Sequence, residues 1–115
     1  MTQLITTPWG SETVITGHDK SPTKVKFYSI KPQHHIPEAN HKNRSEHIII
    51  VNGVAELTFS DEKMILSRNC SFFIPSGIKH SIKNASNINN DFLEFYEIQI
   101  GILREENYDL CEFDI

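Results

Sequence analysis

The sequence contains little cysteine, with only Cys70 and Cys111 among its 115 residues. Two cysteines so far apart do not suggest a disulfide framework or a zinc knuckle, so we expect reduced thiols in the cytoplasm. Long hydrophobic stretches are also absent: the longest apolar run covers residues 48–51, far too few to cross a membrane. The opening residues have neither the basic nor the apolar region of a signal peptide. We therefore predict a soluble cytoplasmic protein with no membrane partner.

An excess of positive charge is missing as well, since the formal net charge is -4. Nucleic-acid-binding domains usually carry a basic stripe, so no nucleic-acid partner is expected. A phosphorylated small molecule remains compatible with this charge, because a few local cations can bind a phosphate within an acidic protein. The hydrophobic fraction of 38% and the charged fraction of 23% are ordinary for globular proteins. Residues 1–115 are predicted to form one domain with its own core.

Short strand-like segments separated by turns occupy most of the chain. They are predicted over residues 13–15, 24–30, 47–51, 55–59, 63–66, 71–74, 79–83 and 92–100. Asn52-Gly53 and Pro75-Ser76-Gly77 are strong turn signals between them. Residues 47–51 are apolar on both faces, as in a central strand, and residues 103–109 could form one helical turn. So many strands in so short a chain predict an all-β antiparallel barrel or jelly roll.

Histidines are the most informative polar residues, and the chain has six of them. Imidazoles combined with a carboxylate suit a borderline divalent metal. His41 lies in a predicted loop, whereas Glu46 begins a strand whose neighbours on the same face, Ile48 and Ile50, should point into the barrel. His80 follows the Pro-x-Gly turn. Donors from separate segments that meet in a barrel interior would give a closed site in which a metal acts as a Lewis acid.

Two sequence motifs resemble those of the cupin superfamily. The second cupin motif, G-x5-P-x-G-x2-H-x3-N, is matched at Pro75, Gly77, His80 and Asn84, with Asn69 in place of its first glycine. The first motif, G-x5-H-x-H-x3-4-E-x6-G, is matched at its second histidine, its glutamate and its last glycine, which are His41, Glu46 and Gly53. The resemblance implies the cupin fold, a double-stranded β-helix or jelly-roll barrel.

A narrower resemblance covers about residues 7–100. The segments TPWGSE, KPQHHIPEANHKNRSEHIIIVNGVAEL and FFIPSGIKH are similar to the C-terminal cupin of bacterial type II mannose-6-phosphate isomerases. The resemblance implies a metal-dependent sugar-phosphate isomerase that interconverts an aldose and a ketose in polysaccharide or nucleotide-sugar precursor metabolism. The family's histidine, arginine and glutamate fall on His41, Arg44 and Glu46, and its lysine–histidine pair falls on Lys79 and His80.

These matches define the candidate site. We predict His41, Glu46 and His80 as metal ligands, with zinc as the first choice and manganese, iron, nickel or cobalt as alternatives. Glu46, Arg44 and Lys79 are predicted to be catalytic, the two cations orienting a sugar phosphate. One departure weakens the metal site, because Ala39 replaces a family glutamine at a position where other cupins have a histidine ligand.

Three of the remaining histidines have simpler expectations. His34 and His35 are predicted to be solvated loop residues. His47 alternates with Glu46 along the same strand and should therefore face away from the metal. A second-shell or structural role is expected for it.

Three functions are compatible with these residues. The first is the sugar-phosphate isomerase. The second is a non-enzymatic cupin that binds a sugar or sugar nucleotide and has a degenerate metal centre, as Ala39 would allow. The third is an iron oxygenase with two histidines and one carboxylate. In each case the central strand that is apolar on both faces favours a homodimer that buries one sheet.

Overall fold

The computed structural model describes residues 2–18, 20–37 and 43–101. They form nine strands, whose bounds are β1 Gln3–Thr7, β2 Gly10–Thr16, β3 Thr23–Ile30, β4 Ser45–Asn52, β5 Ala55–Phe59, β6 Glu62–Leu66, β7 Ser71–Ile74, β8 His80–Asn84 and β9 Leu93–Ile100. A six-stranded sheet has the order β1-β2-β3-β9-β4-β7, and a three-stranded sheet has the order β6-β5-β8. Every pairing between these strands is antiparallel. The prediction of an all-β antiparallel fold is confirmed.

The eight strands predicted from the sequence are all present, and two of them, β5 and β7, have the predicted bounds. Strand β1 was missed, because its side chains are mostly exposed at the sheet edge and give no alternating pattern. The helical turn predicted over residues 103–109 lies outside the described residues. Within the described part of the chain, no helix is long and apolar enough to cross a membrane.

The core lies between the two sheets and follows from alternation along each strand. In β9, the four residues at odd positions are buried, and in β4 the buried residues are those at even positions from 46 to 50. The buried apolar side chains are Tyr28, Ile30, Ile48, Ile50, Ala55, Leu57, Leu66, Ile74, Ile82, Leu93 and Phe95. Alternation with a period of two therefore separates core from surface along the larger sheet.

Register places the inward residues of β3, β9 and β4 in rows, because residues opposite each other in antiparallel strands share a face. One row is apolar and consists of Tyr28, Phe95 and Ile50. The next row is Lys26, Glu97 and Ile48, and the row after it is Lys24, Gln99 and Glu46. The interior of the larger sheet thus changes from apolar to polar along β9.

The outer face of the same sheet is also rich in apolar side chains. Ile49 and Val51 on β4 are about two-fifths exposed, as are Tyr96 on β9 and Phe73 on β7. The Phe27 and Tyr96 rings lie with centroids 4.9 Å apart. These five residues, called here the outer apolar face, lie on neighbouring strands and form one surface.

Asn84, at the end of β8, connects three segments of the chain through its side chain. Its Nδ2 donates to Ile30 O at 2.8 Å and to Asp91 O at 2.9 Å, and its Oδ1 accepts from Ser86 N at 3.0 Å. The residue is completely buried. Because both carbonyl partners can only accept, the amide orientation is fixed by its neighbours.

Candidate functional site

A cavity of about 140 Å³ opens at the polar end of the interior and is lined by strands from both sheets. Its lining residues are Lys24, Lys26, Tyr28, Ile36, Pro37, Arg44, Glu46, Ile48, His80, Ser81, Ile82, Glu97 and Gln99. The site therefore combines three cations, two carboxylates and one imidazole in a small volume. Such a concentration of charge between two sheets is typical of a ligand site rather than of a structural core.

His80 and Glu46 form the centre of this cavity. The distance from His80 Nε2 to Glu46 Oε1 is 3.0 Å, and both side chains are less than one-tenth exposed. On the other side of the ring, His80 Nδ1 lies 3.0 Å from Ile78 O. A carbonyl oxygen only accepts hydrogen bonds, so Nδ1 carries a proton and Nε2 is the nitrogen that faces the cavity.

Burial of the imidazole lowers the pKa of His80, but this effect is outweighed by its neighbours. Hydrogen bonds to Glu46 and to the Ile78 carbonyl, together with the charges of Glu46 and Glu97, raise the pKa above the ordinary value of 6.5. The protonated ring and the Glu46 carboxylate therefore stabilise each other as an ion pair.

A chain of hydrogen bonds runs along the wall formed by β9. Arg44 Nη1 donates to Gln99 Oε1, Gln99 Nε2 donates to Glu97 Oε1 at 2.5 Å, and Tyr28 Oη donates to the same Glu97 oxygen at 3.1 Å. Arg44 Nε also donates to Gly101 O at 3.2 Å. Arg44 is only 3% exposed. These bonds supply partners for its buried guanidinium group and hold the group in place.

Glu97 is a buried carboxyl group next to another one. Burial, and then the adjacent Glu46 carboxylate, raise the pKa of Glu97 to about 8. Burial and the charge of Glu97 also raise the pKa of the Tyr28 hydroxyl far above its usual range, so this hydroxyl remains a hydrogen-bond donor. Two carboxyl groups in one dry site do not readily ionise together unless a cation lies between them.

The donor chemistry of the site suits a borderline divalent metal. Glu46 and His80 offer an oxygen and the Nε2 nitrogen, and the Nδ1–H bond to Ile78 O is the kind of outer hydrogen bond that orients metal-binding histidines. Among residues 2–18, 20–37 and 43–101, no group of three histidine, cysteine, aspartate or glutamate side chains is close enough to hold an ion. The third predicted ligand, His41, lies outside the described residues.

Of the two other predicted site residues, the structure brings one to the cavity. Arg44 lines it together with Glu46 and His80, whereas Lys79 is exposed and does not reach it. His47 is exposed and faces away, in contact with the Phe73 ring at a centroid distance of 4.8 Å. His34 and His35 are exposed, as expected.

On β3 and β9, five polar residues that line the cavity were not identified from the sequence, namely Lys24, Lys26, Tyr28, Glu97 and Gln99. The first three alternate along β3 and the last two along β9, so each set shares one face. The signal was therefore present as polar residues repeating at every second position of a strand. Which face turns inwards depends on pairing with strands far away in the sequence.

Comparison with known proteins identifies the family of this chain. Residues 1–114 match the model of the family described as "Mannose-6-phosphate isomerase C-terminal". The chain belongs to this family. It is 37% identical over 106 residues to a mannose-1-phosphate guanylyltransferase of Salmonella montevideo, covering 92% of this chain and 21% of that protein. It is 35% identical over 94 residues to the alginate biosynthesis protein AlgA of Pseudomonas aeruginosa, covering 82% of this chain and 18% of that protein.

The chain thus spans about a fifth of the length of the curated relatives it matches. Their names connect the family with carbohydrate and polysaccharide biosynthesis, as in the xanthan biosynthesis protein XanB of Xanthomonas campestris, which is 35% identical over 107 residues, 93% of this chain and 22% of that protein. The guanylyltransferases among the relatives are enzymes by name.

Solved structures confirm the cupin fold. The Cnp3 cupin domain of Schizosaccharomyces pombe matches with a TM-score of 0.66 and 18% identity, over 78% of this chain and 64% of that chain. A cupin superfamily protein of Desulfitobacterium hafniense matches with a TM-score of 0.64 and 17% identity, over 87% of this chain and 78% of that chain. At this level of identity the likeness concerns the fold alone.

Proposed function

We propose that this cupin is a metal-dependent sugar-phosphate isomerase that interconverts an aldose and a ketose of the mannose-6-phosphate type. The observation that carries the proposal is the buried pair of His80 and Glu46, which shares one cavity with the immobilised cation Arg44. Membership of the mannose-6-phosphate isomerase C-terminal family supports the choice of substrate.

The metal site would consist of His80, Glu46 and His41, with zinc as the first choice and manganese, iron, nickel or cobalt as alternatives. When bound there, a divalent ion supplies Lewis acidity to the oxygens on C1 and C2 of the sugar. Arg44, held by Gln99 and Gly101 O, presents positive charge towards the same cavity and offsets negative charge that develops on those oxygens.

The isomerisation itself moves one proton between neighbouring carbons. The proton that leaves C2 of the aldose returns to C1 while the carbonyl moves from C1 to C2, and the hydroxyl proton moves from O2 to O1. Glu46, where not fully engaged by metal, or a neighbouring histidine outside the metal site would carry the carbon-bound proton. The cavity walls beside this pair include the apolar side chains of Ile48 and Ile82.

Elemental analysis of untagged protein, combined with an isomerase assay, tests this function. We expect about one metal per chain, and loss of both metal and turnover in His41→Ala and His80→Ala. His34→Ala is the matched control, because His34 is exposed and outside the cavity. Stoichiometric sugar binding without metal or turnover would overturn the isomerase in favour of the non-enzymatic cupin. Ferrous iron with oxygen uptake would favour the oxygenase.

We also propose that the chain forms a homodimer through the outer apolar face. Two copies related by a twofold axis would bury the same surface on each partner, and Phe73 and Tyr96 would provide the large contacts. Light scattering should give twice the chain mass for wild type and for Ile65→Asp, which changes an equally apolar exposed residue on the smaller sheet. Phe73→Asp should give the monomer mass. A monomeric wild type would refute the proposal.

A further inference from the structure

Strand β3 carries two lysines on its inward face, which is unusual for a strand in the middle of a sheet. Lys24 and Lys26 both line the cavity, and both are only partly exposed. The residues between them and next to them, Val25 and Phe27, belong to the opposite face. The first half of the strand therefore directs its charged residues inwards and its apolar ones outwards, whereas Tyr28 and Ile30 at its other end point into the apolar core.

Register fixes where these lysines lie relative to the catalytic pair. Lys24 is opposite Gln99 on β9, and Gln99 is in turn opposite Glu46 on β4. Adjacent strands are about 4.8 Å apart, so the backbone of Lys24 lies about 10 Å across the sheet from that of Glu46. The lysines and Glu46 thus lie on the same inward face of the larger sheet, two strands apart, and His80 on the smaller sheet contacts Glu46 across the cavity.

Lys26 is held in a defined position on this wall. Its Nζ lies 3.1 Å from Glu12 Oε2, in an ion pair whose side chains are less than one-fifth exposed, and 5.8 Å from the centroid of the Tyr28 ring. An ammonium group has three N–H donors, and Glu12 accepts one of them. The ion pair therefore orients the ammonium group and leaves it able to donate to a ligand.

We propose that Lys24 and Lys26 form the subsite for the phosphate group of the substrate. The inference rests on the isomerase function proposed above and specifies which end of the substrate lies where. A sugar phosphate whose C1 and C2 lie at Glu46 and His80 extends its carbon chain across the cavity, and its phosphate reaches β3. A phosphate monoester carries close to two negative charges at neutral pH. Two neighbouring ammonium groups balance this charge, whereas a single carboxylate would balance only one of the two ammonium groups.

This assignment differs from the one made from the sequence, in which Lys79 was a candidate phosphate contact. Lys79 is exposed and precedes β8, outside the cavity, so the two assignments predict different variants to be impaired. Arg44 is bonded to Gln99 and Gly101 O and remains on the catalytic side. The subsite on β3 therefore accounts for the phosphate without using Lys79.

Calorimetric titration of mannose-6-phosphate, of mannose and of inorganic phosphate into the metal-loaded protein tests the subsite. Lys24→Met and Lys26→Met keep the aliphatic stem and remove the charge, and Lys63→Met, exposed on the smaller sheet, is the matched control. We expect each cavity variant to weaken binding of the sugar phosphate about 10- to 100-fold, as for loss of a charge-assisted hydrogen bond, and to leave mannose binding unchanged. Lys63→Met and Lys79→Met should bind like wild type.

The outcomes separate this proposal from the isomerase proposal. Lysine-dependent binding of the phosphate ester by a protein that shows no turnover would support the subsite and refute the isomerase. Turnover with a KM that Lys24→Met and Lys26→Met leave unchanged would refute the subsite and retain the isomerase. If either methionine variant is poorly folded by circular dichroism, Glu12→Gln provides a second test: its amide oxygen can still accept from Lys26 Nζ, and removal of the negative charge beside Lys26 should tighten phosphate binding severalfold. Unchanged or weaker phosphate binding in a folded Glu12→Gln variant would overturn the assignment.

Discussion

The side chain of Asn84 offers a sharp test of how this cupin is held together. Replacement by alanine removes three hydrogen bonds, to Ile30 O, Asp91 O and Ser86 N. It leaves two carbonyls and one N–H without these partners at a position that is completely buried. At about 1 kcal/mol per hydrogen bond, with a further contribution from the space left behind, Asn84→Ala should lower the free energy of unfolding by about 2–4 kcal/mol.

Aspartate at the same position distinguishes the effect of side-chain size from the effect of losing the amide donor. Asn84→Asp keeps the shape of the side chain and the oxygen that accepts from Ser86 N, but it replaces the donor amide by an oxygen that faces two carbonyl oxygens. We therefore expect Asn84→Asp to be at least as unstable as Asn84→Ala at neutral pH. A simple loss of side-chain volume would predict the opposite order.

Urea denaturation followed by circular dichroism measures both effects. With a slope of about 1–3 kcal/mol per molar urea, the expected loss moves the midpoint of Asn84→Ala down by about 0.7–4 M. Asn89→Ala, in the exposed loop before β9, is the control and should match wild type within about 0.5 kcal/mol. An Asn84→Ala midpoint equal to that of the control would refute the structural role of these bonds.

Two further predictions concern Glu97 and Gly53. The pKa of Glu97 is about 8 in the folded protein, against an ordinary value of 4.5, so the folded state binds this proton more tightly than the unfolded state does. The chelator-treated protein should therefore lose stability as the pH rises from 4.5 to 8. Glu97→Gln should flatten this dependence in thermal melts at pH 5 and 8, and an unchanged slope would contradict the assignment. Gly53 has φ of +93°, and a Cβ there would lie 2.9 Å from Phe92 O, so Gly53→Ala should cost about 1–3 kcal/mol in urea unfolding. Gly77→Ala, with similar φ and open space, isolates the contribution of the contact.

Much of the fold was accessible from the sequence because strands and turns are local features. Alternation identified β3 and β8, and Asn52-Gly53 correctly marked the turn between β4 and β5. The motif spacing likewise predicted that Glu46 and His80 belong to one site, and the structure places them in contact. Strand β1 could not be predicted, since an edge strand with exposed residues on both faces gives no periodic signal.

The rest of the site depended on long-range pairing. Glu97 and Gln99 reach the cavity because β9 inserts between β3 and β4, although β3 and β9 are far apart in the chain. Local periodicity cannot specify this order. By contrast, the position of Lys79 outside the cavity could have been predicted from the sequence. Lys79 is next to His80, and neighbouring residues in an extended chain point in opposite directions.

The position of β9 has a consequence for the mobility of the site. All eight of its residues pair with β3, and most also pair with β4, so this strand is hydrogen-bonded along both edges. Its amides should therefore be among the last to exchange with deuterated water, and should exchange only when the whole domain unfolds. Glu97 and Gln99 then belong to the most rigid part of the molecule. The side chains that β9 contributes to the cavity would then keep the same arrangement before and after a ligand binds. Any activity should be lost in denaturant together with global unfolding and not before it.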